Sequence, residues 1–203
     1  MIDDRVRAEM IFYATTHDYS DAARYERFAL DCKLDRKALE IGGVINNLSA
    51  HISSSGKPLA ILETASATGL TAAGVTTQLA RFGITHTYTS LDIEPNLLQY
   101  AKERGRGDVF VRGDFERLPF AADAFDIYIM MGAGGYRTDG MFYPEVHRVL
   151  RVGGYYVMPQ IGPNPFANTS EIHTALQSGL SIVRADHYLI AQKSIVIVPS
   201  PTP

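Results

Sequence analysis

The apolar positions change period once along the chain. Through residues 1–55 they recur at helical spacing. Ala22, Ala23, Tyr25, Phe28, Ala29 and Cys32 mark a helix within 20–40, and Leu39, Val44, Ile45 and Leu48 mark a second over about 35–53. Gly42-Gly43 weakens the second helix, by about 1 kcal/mol per glycine against alanine. The run Ser53-Ser-Ser-Gly-Lys-Pro58 then breaks the pattern.

After that break, short apolar runs alternate with helical stretches. Leu59–Glu63, Thr87–Asp92, Val109–Val111, Phe125–Met131 and Tyr155–Pro159 read as strands. Helices are expected from the turn Thr64–Gly69 to Phe82, from Glu94-Pro95 to Arg104, and from Met141 to Leu150. Pro95 suits a first helical turn, where no amide donor is needed. Apart from Asp126, Phe125–Met131 is continuously apolar, as expected of a strand covered on both faces. A short helix near Glu171–Gln177 precedes two β-rich runs, Leu180–Ile190 and Lys193–Val198, read as a closing antiparallel hairpin.

This order predicts an α/β fold: a doubly wound, mostly parallel Rossmann-like sheet of about seven strands, with N-terminal helices. Residues 1–203 are read as one domain, with 1–55 a helical cap and 56–203 the ligand-binding core. Right-handed crossovers put the loops after the strands along one edge, where ligands of such sheets bind.

Composition narrows the class. The single cysteine, Cys32, rules out an internal disulfide framework and any zinc site built on several thiolates. No apolar run approaches the roughly 20 residues of a membrane span, and the start Met1-Ile2-Asp3-Asp4 lacks signal-peptide order. A cytoplasmic protein without a membrane or metal requirement is expected. The net charge of −3 offers a polyanion no general attraction. Lys102, Arg104, Arg106 and Arg112 are interleaved with Glu103 and Asp108, so nucleic acid is not an expected partner.

Candidate chemistry sits at the strand ends. Glu63 closes the first strand and is followed by Thr64-Ala65-Ser66-Ala67-Thr68-Gly69, a small-residue turn leading into a helix. Such a turn admits close backbone approach and ends on orphan amides. Asp92 closes the second strand, placed to accept both hydroxyls of a ribose or to cap the helix beginning at Pro95. Gly113-Asp114-Phe115 closes the third; Asp114 suits an exocyclic amine and Phe115 the flank of a ring, or Asp114 is a turn residue.

With these segments in this order, the sequence resembles the class I S-adenosylmethionine-dependent methyltransferases of the small-molecule type. The resemblance spans Leu59 to Val157 and includes Leu91-Asp92-Ile93-Glu94-Pro95, Gly113–Phe120, Ala124–Ile127 and Glu145–Gly154. It implies S-adenosylmethionine as cofactor. Glu63, Ala65 and the backbone to Gly69 then face its methionine part, and Asp92 holds the ribose. Ile93 packs on adenine, Asp114 and Phe115 read the adenine edge, and Met131 lies by the methionyl group. Asp126 is structural. The family usually has glycine at positions 65 and 67. Ala65 costs roughly 1–2 kcal/mol if its φ must be positive.

In relatives of this type an aromatic near the start closes over the cofactor, which implies Tyr19 or Tyr25. His17, whose side-chain type titrates near neutrality, is the candidate base beside Tyr19 on the acceptor side. Tyr13 and Tyr136 are possible neighbours, and Arg137 a possible clamp for an acidic acceptor. The expected reaction is in-line methyl transfer to O, N or C of a small-molecule acceptor, by a monomer or homodimer. Two other readings stay open: another reaction on the same cofactor, and a catalytically inactive binding module. A nicotinamide enzyme is disfavoured because the turn lacks its three-glycine spacing.

Overall fold

The computed structural model describes residues 4–52, 56–132, 140–159 and 169–194. Three helices come first: α1 (Asp4–Thr16), α2 (Ala22–Asp31) and α3 (Leu34–Ser49). Two of them, α2 and α3, lie within 20–53 as expected, although the expected helices met within 35–40. The chain breaks instead at Lys33, which takes a left-handed φ of +62° and starts a new helical phase. The Asp21 carboxylate accepts the Arg24 amide at 2.8 Å and starts α2. Among the described residues no helix is long and apolar enough to cross a membrane.

The sheet follows as read from the apolar runs, except that the fifth strand begins at Leu150 rather than Tyr155. In chain order come β1 (Leu59–Thr64), α4 (Leu70–Arg81), β2 (His86–Asp92), α5 (Pro95–Glu103) and β3 (Val109–Arg112). Then follow β4 (Phe125–Met130), α6 (Phe142–Val149), β5 (Leu150–Pro159), α7 (Thr169–Gln177), β6 (Leu180–Ala185) and β7 (Tyr188–Lys193). The spatial order is β3-β2-β1-β4-β5-β7-β6, with β1 to β5 parallel and β7 antiparallel to both its neighbours. The chain winds outward from β1 to β3 and returns to β4 on β1's other side. The strand ends of β1 and β4 therefore flank the crevice where the winding reverses.

Strict alternation explains how both faces are filled. Ile61, Ile127, Ile129 and Val157 point to one side, with Ile41, Ile45 and Val75 of α3 and α4. Leu62, Tyr128, Met130 and Tyr156 point to the other, with Phe142 and Val146 of α6. Gly42, expected to weaken α3, is where α3 and α4 cross. A Cβ there would lie 2.6 Å from Gln78 Cβ, and one on Gly74 would lie 2.5 Å from Ala38 Cβ. The helices approach so closely because glycine allows it, and the propensity cost is offset by contact.

The closing hairpin turns earlier than expected. The chain reverses at Asp186-His187, where Asp186 accepts the Tyr188 amide at 3.2 Å and pairs with Arg184 at 2.7 Å. The second strand is thus Tyr188–Lys193 rather than 193–198; residues 195–198 lie outside the described residues. Asp126, at the start of β4, accepts the Ala60 amide at 2.8 Å and pairs with Arg151 at 2.7 Å. It staples strands at the end of the sheet away from the crevice, a structural task.

Candidate functional site

The ends of β1, β2, β3 and β4 meet α1 and α2 around a cavity of about 490 Å³. The turn after β1 forms its floor. Ala65 and Ala67 both have positive φ, +53° and +47°, so the cost foreseen at Ala65 falls on two residues. An L-residue held there loses roughly 1–2 kcal/mol. The fold holds them by hydrogen bonds: the Ser66 amide donates to the Leu91 carbonyl at 3.1 Å, and the Ala67 amide to Asp92 Oδ2 at 2.8 Å. Those two amides serve the turn itself rather than facing a ligand freely.

Asp92 is the hinge of this arrangement. Its other oxygen accepts the Glu94 amide at 2.9 Å, fixing the entry to α5. The carboxylate is 7% exposed, and burial raises its pKa above the ordinary range against the pull of those amides. It still lines the cavity, with lone pairs left over. Asp92 thus fixes the chain's entry to α5 without capping the helix, whose N-cap is Glu94.

Asp114 follows β3. Its Oδ1 accepts the Glu116 amide at 2.8 Å in a tight turn closed by Arg117 N donating to Asp114 O at 3.1 Å. Phe115 stands edge-on to Phe142 at 5.8 Å, anchored in the core. Asp114, Phe115, the exposed Ile93 and Met131 all line the cavity.

Two expected cofactor residues do not. Glu63 is 1% exposed, behind the turn, where its carboxylate accepts the Tyr88 hydroxyl at 2.9 Å and also bonds Thr71. Burial pushes it up to about 8. Gly69 is also set back. With φ +73° it caps α4, and a Cβ there would lie 2.8 Å from Arg106 Cβ and 3.0 Å from Ala101 Cβ. Its need for glycine comes from backbone conformation and packing.

The opposite wall is aromatic. Tyr13 and Tyr19 stack at 5.3 Å, 10° from parallel, and Tyr25 stands edge-on to both, at 5.3 and 5.5 Å. Phe28 completes the group at 5.2 Å from Tyr13. Tyr13 is buried, and burial raises its phenol pKa. His17 follows α1 in the left-handed position (φ +50°), with its amide on the Tyr13 carbonyl at 3.2 Å. It is exposed but lines the cavity with Tyr19 and Tyr25.

Other residues escaped the sequence reading. Glu116 and Leu97 also line the cavity. Ser66 Oγ and Thr68 Oγ1 are buried without a hydrogen-bond partner, as is Ser90 Oγ. Ser66 and Thr68 line a recess of about 20 Å³ that shares Tyr25, Ala65, Ala67 and Met131 with the main cavity. Two hydroxyls inside a small-residue turn were a visible signal. His147 packs on Gly179 and is held below the ordinary histidine pKa by burial. Tyr136 and Arg137 lie outside the described residues.

Comparison with known proteins gives the site a context. Residues 66–158 match a family model described as a methyltransferase domain. A phthiotriol/phenolphthiotriol dimycocerosates methyltransferase of Mycobacterium tuberculosis is 41% identical over 81 residues, 38% of this chain and 30% of its own length. The 2-methyl-6-phytyl-1,4-hydroquinone methyltransferase 2 of rice is 34% identical over 110 residues, 53% of this chain and 30% of its own. The chain thus spans about 30% of the length of these curated relatives. Among solved structures, an S-adenosylmethionine-dependent methyltransferase described as putative, from Methanococcus maripaludis, superposes with a TM-score of 0.70 at 14% identity. It covers 89% of this chain and 95% of its own. The methyltransferase domain of a citrinin polyketide synthase gives 0.65 at 18% identity, covering 77% and 52%. The two solved structures share the Rossmann-like fold of this chain.

Proposed function

We propose, taking as premise that the core is a methyltransferase domain, that the chain transfers a methyl group from S-adenosylmethionine to a small, uncharged, largely apolar acceptor. The observation that carries this reading is that Asp92, Asp114 and the tyrosine wall face one another across a single cavity. Its volume falls within the range of small-molecule sites.

The residues present suit the cofactor. Asp92 retains acceptor capacity for a ribose diol, and Asp114 for an adenine amine flanked by Phe115 and Ile93. Ser66 Oγ and Thr68 Oγ1 are orphaned beside the start of α4, and burying such hydroxyls unpaired costs about 1–3 kcal/mol each. The amino and carboxyl groups of a bound amino acid would satisfy them. When bound, S-adenosylmethionine supplies a methyl group on a positively charged sulfur, already activated for in-line displacement. The chain's part would be alignment: the tyrosine wall would hold an acceptor within the cavity and exclude water. His17, beside Tyr19, takes the proton of an acceptor that arrives protonated.

Acceptor class follows from the lining. Among the described residues it holds no lysine or arginine, but it holds Asp92, Glu94, Asp114 and Glu116. That field repels an anionic acceptor, while Met10, Tyr13 and Phe28 favour an apolar body. The curated relatives are named for hydroxylated apolar molecules, one a hydroquinone with a phytyl chain. The proposed setting is the cytoplasm, as a monomer or homodimer, where the lone Cys32 stays a thiol.

Calorimetric titration with S-adenosylhomocysteine, then uptake of labelled methyl by a panel of phenols, alcohols, amines and carboxylates, tests this. Binding, with methyl transfer to uncharged acceptors, is expected. Absence of binding at millimolar ligand overturns the reading. A second reading, an altered or silent site, draws support from the strained Ala65 and Ala67; methylthioadenosine in place of S-adenosylhomocysteine as product would favour it.

A further inference from the structure

One ion pair joins the N-terminal helices to the turn after β1. Arg106, just beyond α5, donates from Nη1 to Glu26 Oε2 at 2.6 Å and from Nη2 to Glu26 Oε1 at 3.2 Å. The same Nη1 donates to the Thr68 carbonyl at 3.0 Å. Both side chains are mostly covered, 19% and 14% exposed. A forked, partly buried guanidinium–carboxylate pair fixes direction as well as distance, unlike an exposed pair of single contact. The Arg106 side chain also occupies the space that a Cβ on Gly69 would need.

We propose that Glu26 and Arg106 are positioning residues, which set α2 and its tyrosine wall at a fixed height over the turn after β1. This rests on the reading of that turn as the cofactor's floor. Tyr25 precedes Glu26 in α2, so the residue that grips Arg106 neighbours the ring that lines both the cavity and its recess. Tyr25 in turn touches Tyr13 and Tyr19. Holding Glu26 therefore holds three rings. Through the Thr68 carbonyl the same guanidinium holds the segment carrying Ala67 at positive φ. Neither residue lines the main cavity; both act through Tyr25 and the turn. Without the pair, α2 keeps its own helix but loses a fixed distance from the floor.

Non-additivity is the test. Arg106→Gln, Glu26→Gln and the double variant are compared with wild type for S-adenosylhomocysteine affinity, trypsin cleavage at Arg24, Arg27 and Lys33, and thermal unfolding. Arg151→Gln, which breaks the Asp126 pair at the far end of the sheet, is the stability control. Glu26→Gln is expected to weaken binding about 3- to 10-fold and Arg106→Gln about 10-fold, with the double no worse than Arg106→Gln. Cleavage within and just after α2 quickens in all three and is slowed by ligand. Changes below twofold, multiplying effects, or an equal loss of affinity in the Arg151→Gln control overturn the proposal. Should wild type bind no S-adenosylhomocysteine, the cofactor reading falls with the proposal as stated. Cleavage then shows separately whether the pair restrains α2.

Discussion

The two walls of the cavity are built by opposite means. On the sheet side, the two acids that line the cavity at strand ends are fixed by backbone hydrogen bonds. Asp92 is tied to the amides of Ala67 and Glu94, Asp114 to that of Glu116, and the turn after β1 carries two strained alanines. On the cap side, rings stack on rings, and ion pairs link helices: Glu9 to Arg24, Asp31 to Arg5, Glu26 to Arg106. Backbone ties survive side-chain change elsewhere and give one geometry. The cap's geometry rests instead on side-chain contacts, of which the forked Glu26–Arg106 pair reaches the turn after β1.

The sharpest way to break this contrast is at Asp92. Asp92→Asn turns an amide donor toward one of the two backbone amides the carboxylate accepts, and weakens any hydrogen bond to a ribose. S-adenosylhomocysteine affinity is expected to fall about 100-fold, near 3 kcal/mol, with folding stability lower by a further ~1–2 kcal/mol. Calorimetry and urea denaturation check both. If the variant binds normally, the sheet edge does not position the ligand, and the division of labour between the walls is wrong.

Glu63 sharpens the same contrast, because it ends the neighbouring strand yet is sealed from the cavity. Its folded pKa of about 8 exceeds the ordinary 4.5, so between those values the folded state binds more protons than the unfolded. Stability from this residue is full below about pH 4.5 and is lost as pH rises through 8. Glu63→Gln keeps a neutral acceptor for the Tyr88 hydroxyl and removes that titration. At pH 9 the variant is expected to be more stable than wild type by roughly 2–3 kcal/mol, and at pH 5 no more stable. Urea melts at the two pH values decide. A wild type less stable at pH 5 than at pH 9, by an amount Glu63→Gln abolishes, reverses the sign and sinks the assignment.

The contrast also explains what could be read before any coordinates. The positions of the strands along the chain and the acids at their ends were legible because short apolar runs and terminal Asp and Glu are local signals. The fate of Glu63 was not, since nothing local says that Tyr88 and Thr71 turn it inward while Asp92 stays open. The helix break at Lys33 was hidden for a similar reason: a left-handed lysine has no signature. Tyr13, Tyr19 and Tyr25 stood out as aromatics. Their stacking depends on how α1 meets α2, which is a matter of tertiary contact. The Glu26–Arg106 link, 80 residues apart in sequence, had no sequence signal at all.

Glycine at positions 65 and 67 gives a smaller effect. Ala65→Gly and Ala67→Gly relieve positive φ, and each is expected to stabilise the fold by about 1 kcal/mol, the relief exceeding glycine's extra unfolded-state entropy. Both Cβ atoms belong to residues of the cavity wall, so S-adenosylhomocysteine binding tightens by a few-fold as well. Denaturation and calorimetry on the double variant read the two effects apart. Stability gained with affinity lost would mean that the methyl groups contact the ligand favourably.

The smallest effect belongs to the cap. Arg5 and Asp31 pair at 2.5 Å, but their side chains are 68% and 36% exposed, and water screens the attraction that the distance suggests. Arg5→Ala is expected to change stability by less than about 0.5 kcal/mol and to leave ligand affinity within twofold. The value of this variant lies in its contrast with Glu26→Gln on the neighbouring helix. Each removes one ion pair made by the α1–α2 hairpin, but only the covered, forked one reaches the turn after β1. If Arg5→Ala weakens S-adenosylhomocysteine as much as Glu26→Gln does, any loosening of the cap suffices. The aromatic wall is then held by the summed packing of α1 and α2, and no single strap sets its height.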